Sequence, residues 1–578
     1  MSVTLERAQL WLVRTGAFAL PLVVLGSTND PVILPKLLAA RALIVLLAAL
    51  LIIRWARAEL EIRRTPLDLP ILAYVASAGV STMFAANANL AFFGAYGRME
   101  GFLTIATYGA LFWLTAQSLS SAVEARSVIK AFLAGAFAVS VIAVVQSVGT
   151  TLTSAPSGES AFGFGGVARA AGTFGNANAL AAYLALALPL GVNEYLRAGT
   201  SSDRLLAANL IAVMTIALVL TFGRGGWVGA MVGVVVVMAI ERRSLRRFAV
   251  AAGAAAGVVA VIALAGTLLG AGGPPILQST SARLVSLVDP TAGTGATRLH
   301  IWNDTLELIA SRPIAGYGPD NFGLVFPRFQ TGPWAGSQII DESHSELLQV
   351  AATQGLIGIA AFGWLCIAFL RMWWTGRQQI LAGGVLGACA GYLITNLVNF
   401  SVVPAALPFW LLLGAATILL RPDAALTAPM PTRHRARILS SAVGLLALAL
   451  MSVPALALPY VGDDRARQAL STFAAGDRGR ATALIAEARA VQPQQVLYAA
   501  VAGNLATAGG DWVAAREAYL RAAQLGSFDP SVFRQLAVAD QHLGLEVEAV
   551  AAARRSVELG RFDPRNRALL DELTAARS

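Results

Sequence analysis

His344 is the side chain in this sequence best suited to proton transfer. The chain has four histidines, and this one lies in Asp341-Glu342-Ser343-His344, where a long polar stretch meets an apolar run. Imidazole is the side chain whose ordinary pKa lies near neutral pH. As a base it would accept a proton from an attacking hydroxyl, and as a cation it would stabilise a departing anion. The alternative is a capping or interface role with no chemistry.

Three arginines lie in glycine-containing loops between apolar runs: Arg98, Arg169 and Arg224. Glycine lets the backbone approach a ligand closely, and guanidinium binds phosphate through a planar, bidentate fork. The three arginines therefore predict a site for a pyrophosphate at the level of the lipid headgroups. The alternatives are that each side chain snorkels to the interface or pairs with a local acid, such as Glu100 beside Arg98.

The long polar stretch before His344 adds Arg298 and Trp302. A helix over 296–310 would put them one turn apart on one face. Arg298 is then a candidate for contact with phosphate or sugar, and Trp302 for stacking on a sugar ring or anchoring the loop. The other arginines of this stretch are expected to be solvated or paired with acids; these are Arg283, Arg312 and Arg328, with Asp289, Asp320 and Asp341 as partners.

Metal and nucleotide sites are not indicated. The histidines have no metal-ligand spacing, and the long loop carries no Asp-x-Asp motif. The glycines of 163–166 do not follow a strand, which argues against a nucleotide-binding loop. Cys366 and Cys389 both fall in apolar runs and are expected to be core residues. These features predict a reaction without metal or cofactor, on a lipid-activated donor.

The elements that position these residues are membrane helices. Hydrophobic residues make up 56% of the chain and charged residues 13%. Apolar runs long enough to cross a bilayer recur along the chain and predict about thirteen spans. Their cores are expected at 8–27, 37–56, 69–87, 101–119, 128–149, 176–195, 205–222, 225–241, 247–270, 347–370, 379–401, 403–420 and 437–459. This pattern excludes a soluble enzyme.

Charge orients the spans. Loops on one side carry roughly five times as many Lys and Arg as the short loops on the other, which makes the first set cytoplasmic. The N-terminus is then inside and the C-terminus outside. The loops with Arg98, Arg169 and Arg224 and the long loop 271–345 become external. The net charge of +10 reflects this distribution and does not indicate nucleic acid.

The polar segment 462–578 is repetitive. Gly476-Asp477, Gly510-Asp511 and Gly544-Leu545 recur every 34 residues, with Ala481, Ala515 and Ala549 in the same period. Such a helix–turn–helix period resembles tetratricopeptide repeats, and three units are about the minimum for a stable stack. A rigid spacer or a docking platform without chemistry is the simplest role.

The expected fold is therefore all-α, in three parts. Residues 1–420 form a transmembrane core that includes the loop 271–345. Residues 421–461 form a cytoplasmic linker and the last span, and residues 462–578 form external repeats.

The motifs resemble the O-antigen ligase and O-antigen polymerase superfamily of bacterial membrane glycosyltransferases, of the GT-C type. The resemblance covers roughly residues 70–420. It is carried by the Arg98 loop, Arg169 with Gly172-Thr173-Phe174-Gly175-Asn176, Gly223-Arg224-Gly225, Arg298 with Trp302, Pro313-Ile314-Ala315-Gly316-Tyr317-Gly318, and His344-Ser345-Glu346-Leu347-Leu348. The last motif is the most specific.

The resemblance implies transfer of a glycan from undecaprenyl pyrophosphate to a hydroxyl acceptor at the external face of the bacterial inner membrane. It implies His344 as the catalytic residue and Arg169 and Arg224 as the pyrophosphate grip, with Arg98 and Arg298 assisting. Trp302 and Asn176 are candidates for sugar or acceptor contacts. The acceptor is a glycan, a lipid or a protein, and the repeats are a candidate docking site for a protein partner. A polymerase and a protein O-oligosaccharyltransferase are alternatives within this chemistry, and a transporter of lipid-linked sugars is an alternative of another class.

Overall fold

The computed structural model of the protein describes residues 2–153, 168–241, 294–421, 426–427 and 434–575. The first half of the chain forms nine helices in the described ranges: α1 Ser2–Ala19, α2 Ile33–Ala56, α3 Asp68–Met83, α4 Ala88–Phe93, α5 Phe102–Gln117, α6 Ala122–Thr153, α7 Ala177–Leu196, α8 Ser201–Leu220 and α9 Arg224–Ile240.

The second half continues the bundle and adds a separate helical layer. Its helices are α10 Thr294–Ser311, α11 Phe322–Val325, α12 Glu346–Gly376, α13 Ala382–Leu397, α14 Val403–Leu420, α15 His434–Ser452, α16 Leu458–Ala474, α17 Arg478–Val491, α18 Val496–Gly509, α19 Trp512–Gln524, α20 Pro530–His542, α21 Glu546–Leu559 and α22 Pro564–Ala575.

The prediction of a helical membrane protein is confirmed in outline. Seven of the described helices are long and apolar enough to cross a membrane, and α9 and α13 are shorter apolar helices. Each predicted span in the described ranges overlaps a helix, whereas the span predicted at 247–270 lies outside them. The total of thirteen spans stays a prediction. The all-α class agrees with the described residues, in which Ile62–Arg63 and Leu426–Thr427 add one pair of two-residue antiparallel strands.

Small residues bring α9 and α13 into close contact. A Cβ added to Gly229 would collide with the Gly391 carbonyl oxygen, and one on Gly391 would lie 2.9 Å from the Gly229 carbonyl oxygen. The pair Gly233 and Gly387 repeats this relationship one turn further along. Spacing of small residues by four lets helix backbones approach closely in lipid. This contact packs α9, which begins at Arg224, against α13, which ends near His344.

The C-terminal helices form three antiparallel pairs, α16 with α17, α18 with α19 and α20 with α21, followed by α22. The turn inside each pair contains a glycine with positive φ: Gly476, Gly510 and Gly544. The alanines of the 34-residue period, Ala481, Ala515 and Ala549, are fully buried. A π-helical segment, Val453–Ala457, joins α15 to α16, so the first repeat helix begins before the predicted boundary at 462.

Contacts between loops divide them into two sides. The two short strands join the loop after α2 to the segment after α14. On the other side, the repeats contact the loop before α5, since Tyr96 donates to Asp463 at 2.5 Å and Asn89 donates to the Leu525 carbonyl at 3.0 Å. The C-terminal helices thus lie beside the Arg98 loop, and the topology derived from charge stays a prediction.

Candidate active site

His344 lies just before α12, on backbone in the left-handed region. Its φ is +52°, which residues with a Cβ rarely adopt. Neighbouring polar groups hold this turn: Ser343 N donates to Oε1 of Gln349 at 2.9 Å, and Ser343 Oγ donates to the Ser345 carbonyl at 2.8 Å. The position of the imidazole is therefore set by a closed local network at the start of a long helix.

The imidazole of His344 is half-buried against Phe400, with 5.3 Å between the ring centroids. Its Nδ1 is buried and has no hydrogen-bond partner in the described part of the chain. Burial, followed by the positive charge of Arg298, lowers the pKa of His344 from 6.5 to about 4. The imidazole is thus neutral at pH 7. Among the arginines, Arg298 of α10 has the largest electrostatic effect on this imidazole.

Arg98 belongs to the same site, but carboxylates surround it. Its Nε lies 2.9 Å from Asp320 Oδ1, and its Nη1 lies 2.6 Å from Glu342 Oε1 and 3.6 Å from Asp341 Oδ2. Burial by itself would lower the pKa of Arg98, but these three carboxylates more than offset it and raise the pKa. The guanidinium charge is already balanced, so Arg98 ties its loop to the residues just before His344.

Arg312 and Arg328 are both exposed, which agrees with the solvated alternative expected for them and not with pairing to Asp320 or Asp341. Asp320 pairs with Arg98 through its Oδ1. Its Oδ2 accepts the backbone N–H groups of Ala95 and Glu100, at 2.7 and 3.1 Å. Arg312 instead donates to the Phe84 carbonyl at 3.1 Å and lies over the ring of Tyr317. Arg328 is exposed. Arg283 and Asp289 lie outside the described residues.

The helix that follows His344 is broken at Gly355, where φ is +65° and ψ is −160°. The segment 313–318 fills the break. Four backbone hydrogen bonds join it to both sides of the break. They run from Leu356 N to Pro313 O (2.7 Å), from Ile357 N to Ile314 O (3.3 Å), from Tyr317 N to Ala352 O (3.0 Å) and from Gly318 N to Thr353 O (2.8 Å). Non-helical backbone at membrane depth is tolerated where protein satisfies its polar groups. The break separates the first arm of α12, 346–354, from the arm that continues into the bundle.

Arg169 and Arg224 both lie at the turn between α8 and α9. Arg169 donates from Nε to the Thr221 carbonyl at 2.8 Å and from Nη2 to Oδ1 of Asn178 at 2.9 Å. Arg224 is the first residue of α9, three positions after Thr221. The structure therefore brings together two arginines that are far apart in the sequence.

The turn 398–401 stands between this pair and His344. A Cβ on Gly225 would lie 2.9 Å from the Val398 side chain, which puts the start of α9 against the end of α13. Phe400 contacts the ring of His344. Ser401 N donates to Oε2 of Glu346 at 2.8 Å. One short turn thus connects the arginine pair to the histidine.

Asn176 and Trp302 have structural contacts. Asn176 caps α7, because its Oδ1 accepts the N–H groups of Asn178 and Ala179 at 2.8 and 3.1 Å. Trp302 packs on the apolar cluster of the long loop, which includes Phe326. Its indole Nε1 is buried and has no partner among the described residues.

Sequence reasoning missed the acids that organise the site. Glu342 and Glu346 flank His344 on either side, and both side chains are directed into contacts with distant residues. Carboxylates beside the start of an apolar helix could have indicated these contacts from the sequence, because buried carboxylates require partners. Among the described residues, no group of three or more His, Cys, Asp or Glu is arranged to hold a metal ion.

Comparison with known proteins agrees with this geometry. Residues 210–363 match the family model for O-antigen ligase. That range includes Arg224, Arg298 and His344, whereas Arg98 and Arg169 lie before it. A search of curated proteins found no match. The family match supports the O-antigen ligase superfamily for this chain, and with it a membrane glycan-transfer function.

Proposed function

We propose that this protein transfers a glycan from undecaprenyl pyrophosphate to a hydroxyl acceptor at the external face of the bacterial inner membrane. The observation that carries the proposal is the buried, unpartnered Nδ1 of His344 at the start of α12, inside the range that matches the O-antigen ligase family. A cation beside a neutral imidazole suits a reaction in which an anion departs and a hydroxyl loses its proton.

The donor pyrophosphate is assigned to Arg169, Arg224 and Arg298. Guanidinium groups bind phosphate oxygens through paired hydrogen bonds. Arg169 is itself oriented by the Thr221 carbonyl and Asn178. Arg224 begins α9, where the backbone N–H groups of a helix start favour an anion. No metal or cofactor is required in this scheme.

In the reaction, the acceptor oxygen forms a bond to the anomeric carbon as the bond from that carbon to the pyrophosphate oxygen breaks. The electron pair of the broken bond leaves with the lipid pyrophosphate. The hydroxyl proton passes to His344, which is neutral because its pKa is lowered to about 4. A pyrophosphate beside Arg298 would offset the charge of that arginine and raise the pKa of His344 toward the range of an effective base. These relations favour a role for His344 as the base over a role as a cation that stabilises the departing anion.

Arg98 has a different role from the one its sequence suggests. Its ion pairs with Asp320 and Glu342 support a positioning role, in which it holds the backbone before His344. Trp302 is assigned to packing of the long loop, and Asn176 to capping of α7.

The C-terminal helices are proposed to be tetratricopeptide-like repeats outside the membrane. Their contacts with the Arg98 loop support the same side for the repeats and the site. A docking role for a protein partner of the assembly fits this position.

The test is a transfer assay with purified full-length protein in lipid and a labelled undecaprenyl-pyrophosphate glycan. We expect His344→Ala to lower the transfer rate by about 10²–10⁴-fold while donor affinity is retained. Arg224→Ala is expected to weaken donor binding by about tenfold or more. His300→Ala, on an exposed face of α10, is the matched control.

Full transfer by His344→Ala would contradict the catalytic assignment. Unchanged donor binding by Arg224→Ala would contradict the pyrophosphate grip. Offering a glycolipid, a second donor molecule and a protein as acceptors separates a ligase from a polymerase and a protein O-oligosaccharyltransferase. Movement of donor across a sealed vesicle without transfer would instead identify a transporter.

A further inference from the structure

A cavity of about 250 Å³ runs into the bundle beside the site. It lies among α3, α5, α12, α13 and α14. Its polar end includes Arg98, Glu100, Asp320 and Glu346, and its wall continues along α12 to Leu370. Beyond the break at Gly355, the lining continues from Phe362 to Leu370, and at a rise of 1.5 Å per residue these eight positions correspond to about 12 Å of helix. The cavity therefore extends from the polar boundary deep into the membrane region.

The polar end carries no surplus positive charge. Three carboxylates face a single guanidinium there, and that guanidinium is already paired with Asp320 and Glu342. Burial, followed by the charge of Asp320, raises the pKa of Glu100 to about 8, and Tyr108 donates to Glu100 Oε1 at 2.9 Å. Glu100 is therefore mostly protonated at pH 7, and a pyrophosphate would meet carboxyl groups without a free cation, which is unfavourable. The donor headgroup is thus excluded from this cavity.

The cavity nevertheless has unmet hydrogen-bonding capacity. Asn396 lines it and is 2% exposed, and its Oδ1 is buried without a hydrogen-bond partner in the described part of the chain. Such a group usually has a partner, so it points to a ligand that donates hydrogen bonds. Carboxylates and amide oxygens accept from neutral hydroxyl groups.

The deeper wall is aromatic and apolar. Trp410 is stacked between Tyr74 and Tyr108, with ring centroids 6.3 and 6.1 Å away. Beyond it, Leu365 and Phe369 continue the lining. This surface suits a hydrocarbon chain. A ligand that fits the whole cavity is an amphiphile whose uncharged headgroup carries hydroxyls.

We propose that this cavity is the acceptor subsite and binds a lipid with an uncharged, hydroxyl-bearing sugar headgroup. Its mouth lies at His344, because Phe400 both lines the cavity and contacts the imidazole. This assignment rests on the proposed transfer reaction. It divides the site into a donor part and an acceptor part. The arginines of the α8–α9 turn and Arg298 take the anionic donor, and the carboxylate-lined cavity takes the neutral acceptor.

The test is photolabelling of the full-length protein in lipid nanodiscs with dodecyl β-glucoside that carries a diazirine on its chain. A dodecyl phosphate with the same chain and diazirine is the second probe. We expect the glucoside to label residues of α12 and α13 that line the cavity, and excess unlabelled glucoside to compete. The phosphate probe is expected to label the same residues about tenfold less.

Two variants test the location. Leu365→Trp fills the cavity and is expected to lower glucoside labelling about tenfold, whereas Ile367→Trp, on the exposed face of the same helix, leaves it unchanged. Asn396→Leu removes a buried unpaired acceptor, so the fold is expected to be retained while glucoside labelling falls about fivefold.

Equal labelling by the phosphate probe would overturn the proposal, as would full labelling of Leu365→Trp. Neither readout depends on glycan transfer. A protein that binds the glucoside here but transfers no glycan from a pyrophosphate donor would refute the proposed function alone.

Discussion

The Arg98 guanidinium lies 2.6 Å from Oε1 of Glu342, two residues before His344. The two residues belong to loops that are more than 200 positions apart, and the pair is buried. An ion pair in this position fixes the loop before α5 relative to the backbone that carries the imidazole. It is the basis for treating Arg98 as a positioning residue.

Removing this guanidinium is expected to destabilise the protein. Arg98→Ala leaves Asp320 and Glu342 buried without their cation, which costs about 3–5 kcal/mol. The measurement is thermal or denaturant unfolding of the full chain in detergent. Arg328→Ala, at an exposed position of the long loop that carries Glu342, is the control and should lie within about 0.5 kcal/mol of wild type.

Transfer and donor binding separate the two roles of Arg98. A positioning role predicts that Arg98→Ala lowers the transfer rate while donor affinity falls less than in Arg224→Ala. Equal losses of donor affinity in the two variants would support direct contact of Arg98 with the pyrophosphate.

The break in α12 predicts a strong difference between two glycines of one helix. Gly355→Ala would force a Cβ into the Ile314 carbonyl at a φ of +65°. The backbone conformation alone costs about 1–3 kcal/mol, and the collision adds to it. Gly363→Ala meets nothing within 4 Å and is expected to be neutral or stabilising by up to about 1 kcal/mol. Equal unfolding midpoints for the two variants would show that the segment 313–318 does not support the break.

The pKa of His344 predicts an acid-sensitive contribution to stability. Because the folded-state pKa is about 4 and the ordinary value is 6.5, the unfolded chain binds the extra proton between these values. The stability from this group is complete above pH 6.5 and is lost as the pH falls toward 4. His344→Gln should therefore lose less unfolding free energy than wild type between pH 7 and pH 4.5. Parallel pH curves would contradict a buried, neutral imidazole.

Asp463 predicts coupling between the repeats and the site. Its carboxylate accepts from Tyr96 OH, Tyr498 OH and the N–H of Asp30, at 2.5, 3.2 and 3.0 Å. Asp463→Ala leaves these donors unpaired, and each buried one costs about 1–3 kcal/mol. We expect faster hydrogen exchange in the loop 94–101, which contains both Tyr96 and Arg98. Asp571→Ala, on the exposed face of α22, is the control, and unchanged exchange in Asp463→Ala would argue against the coupling.

Local signals in the sequence were enough to predict the helices, including those of the C-terminal segment. Apolar runs of membrane length and a 34-residue period of glycine and alanine depend on residues near one another in the chain, and each such prediction in the described ranges overlaps a helix. The helix cap at Asn176 could also be predicted from the local sequence, because an Asn directly before an apolar helix is a helix-start signal.

Relations between distant loops were decided by the tertiary structure. The sequence by itself determined that Arg98 and His344 stand at boundaries between loop and membrane. It did not determine that Asp320, Asp341 and Glu342 neutralise Arg98, or that the segment 313–318 fills the break at Gly355. Charge pairing and backbone satisfaction depend on which atoms come within hydrogen-bond distance, and only helix packing brings these segments together.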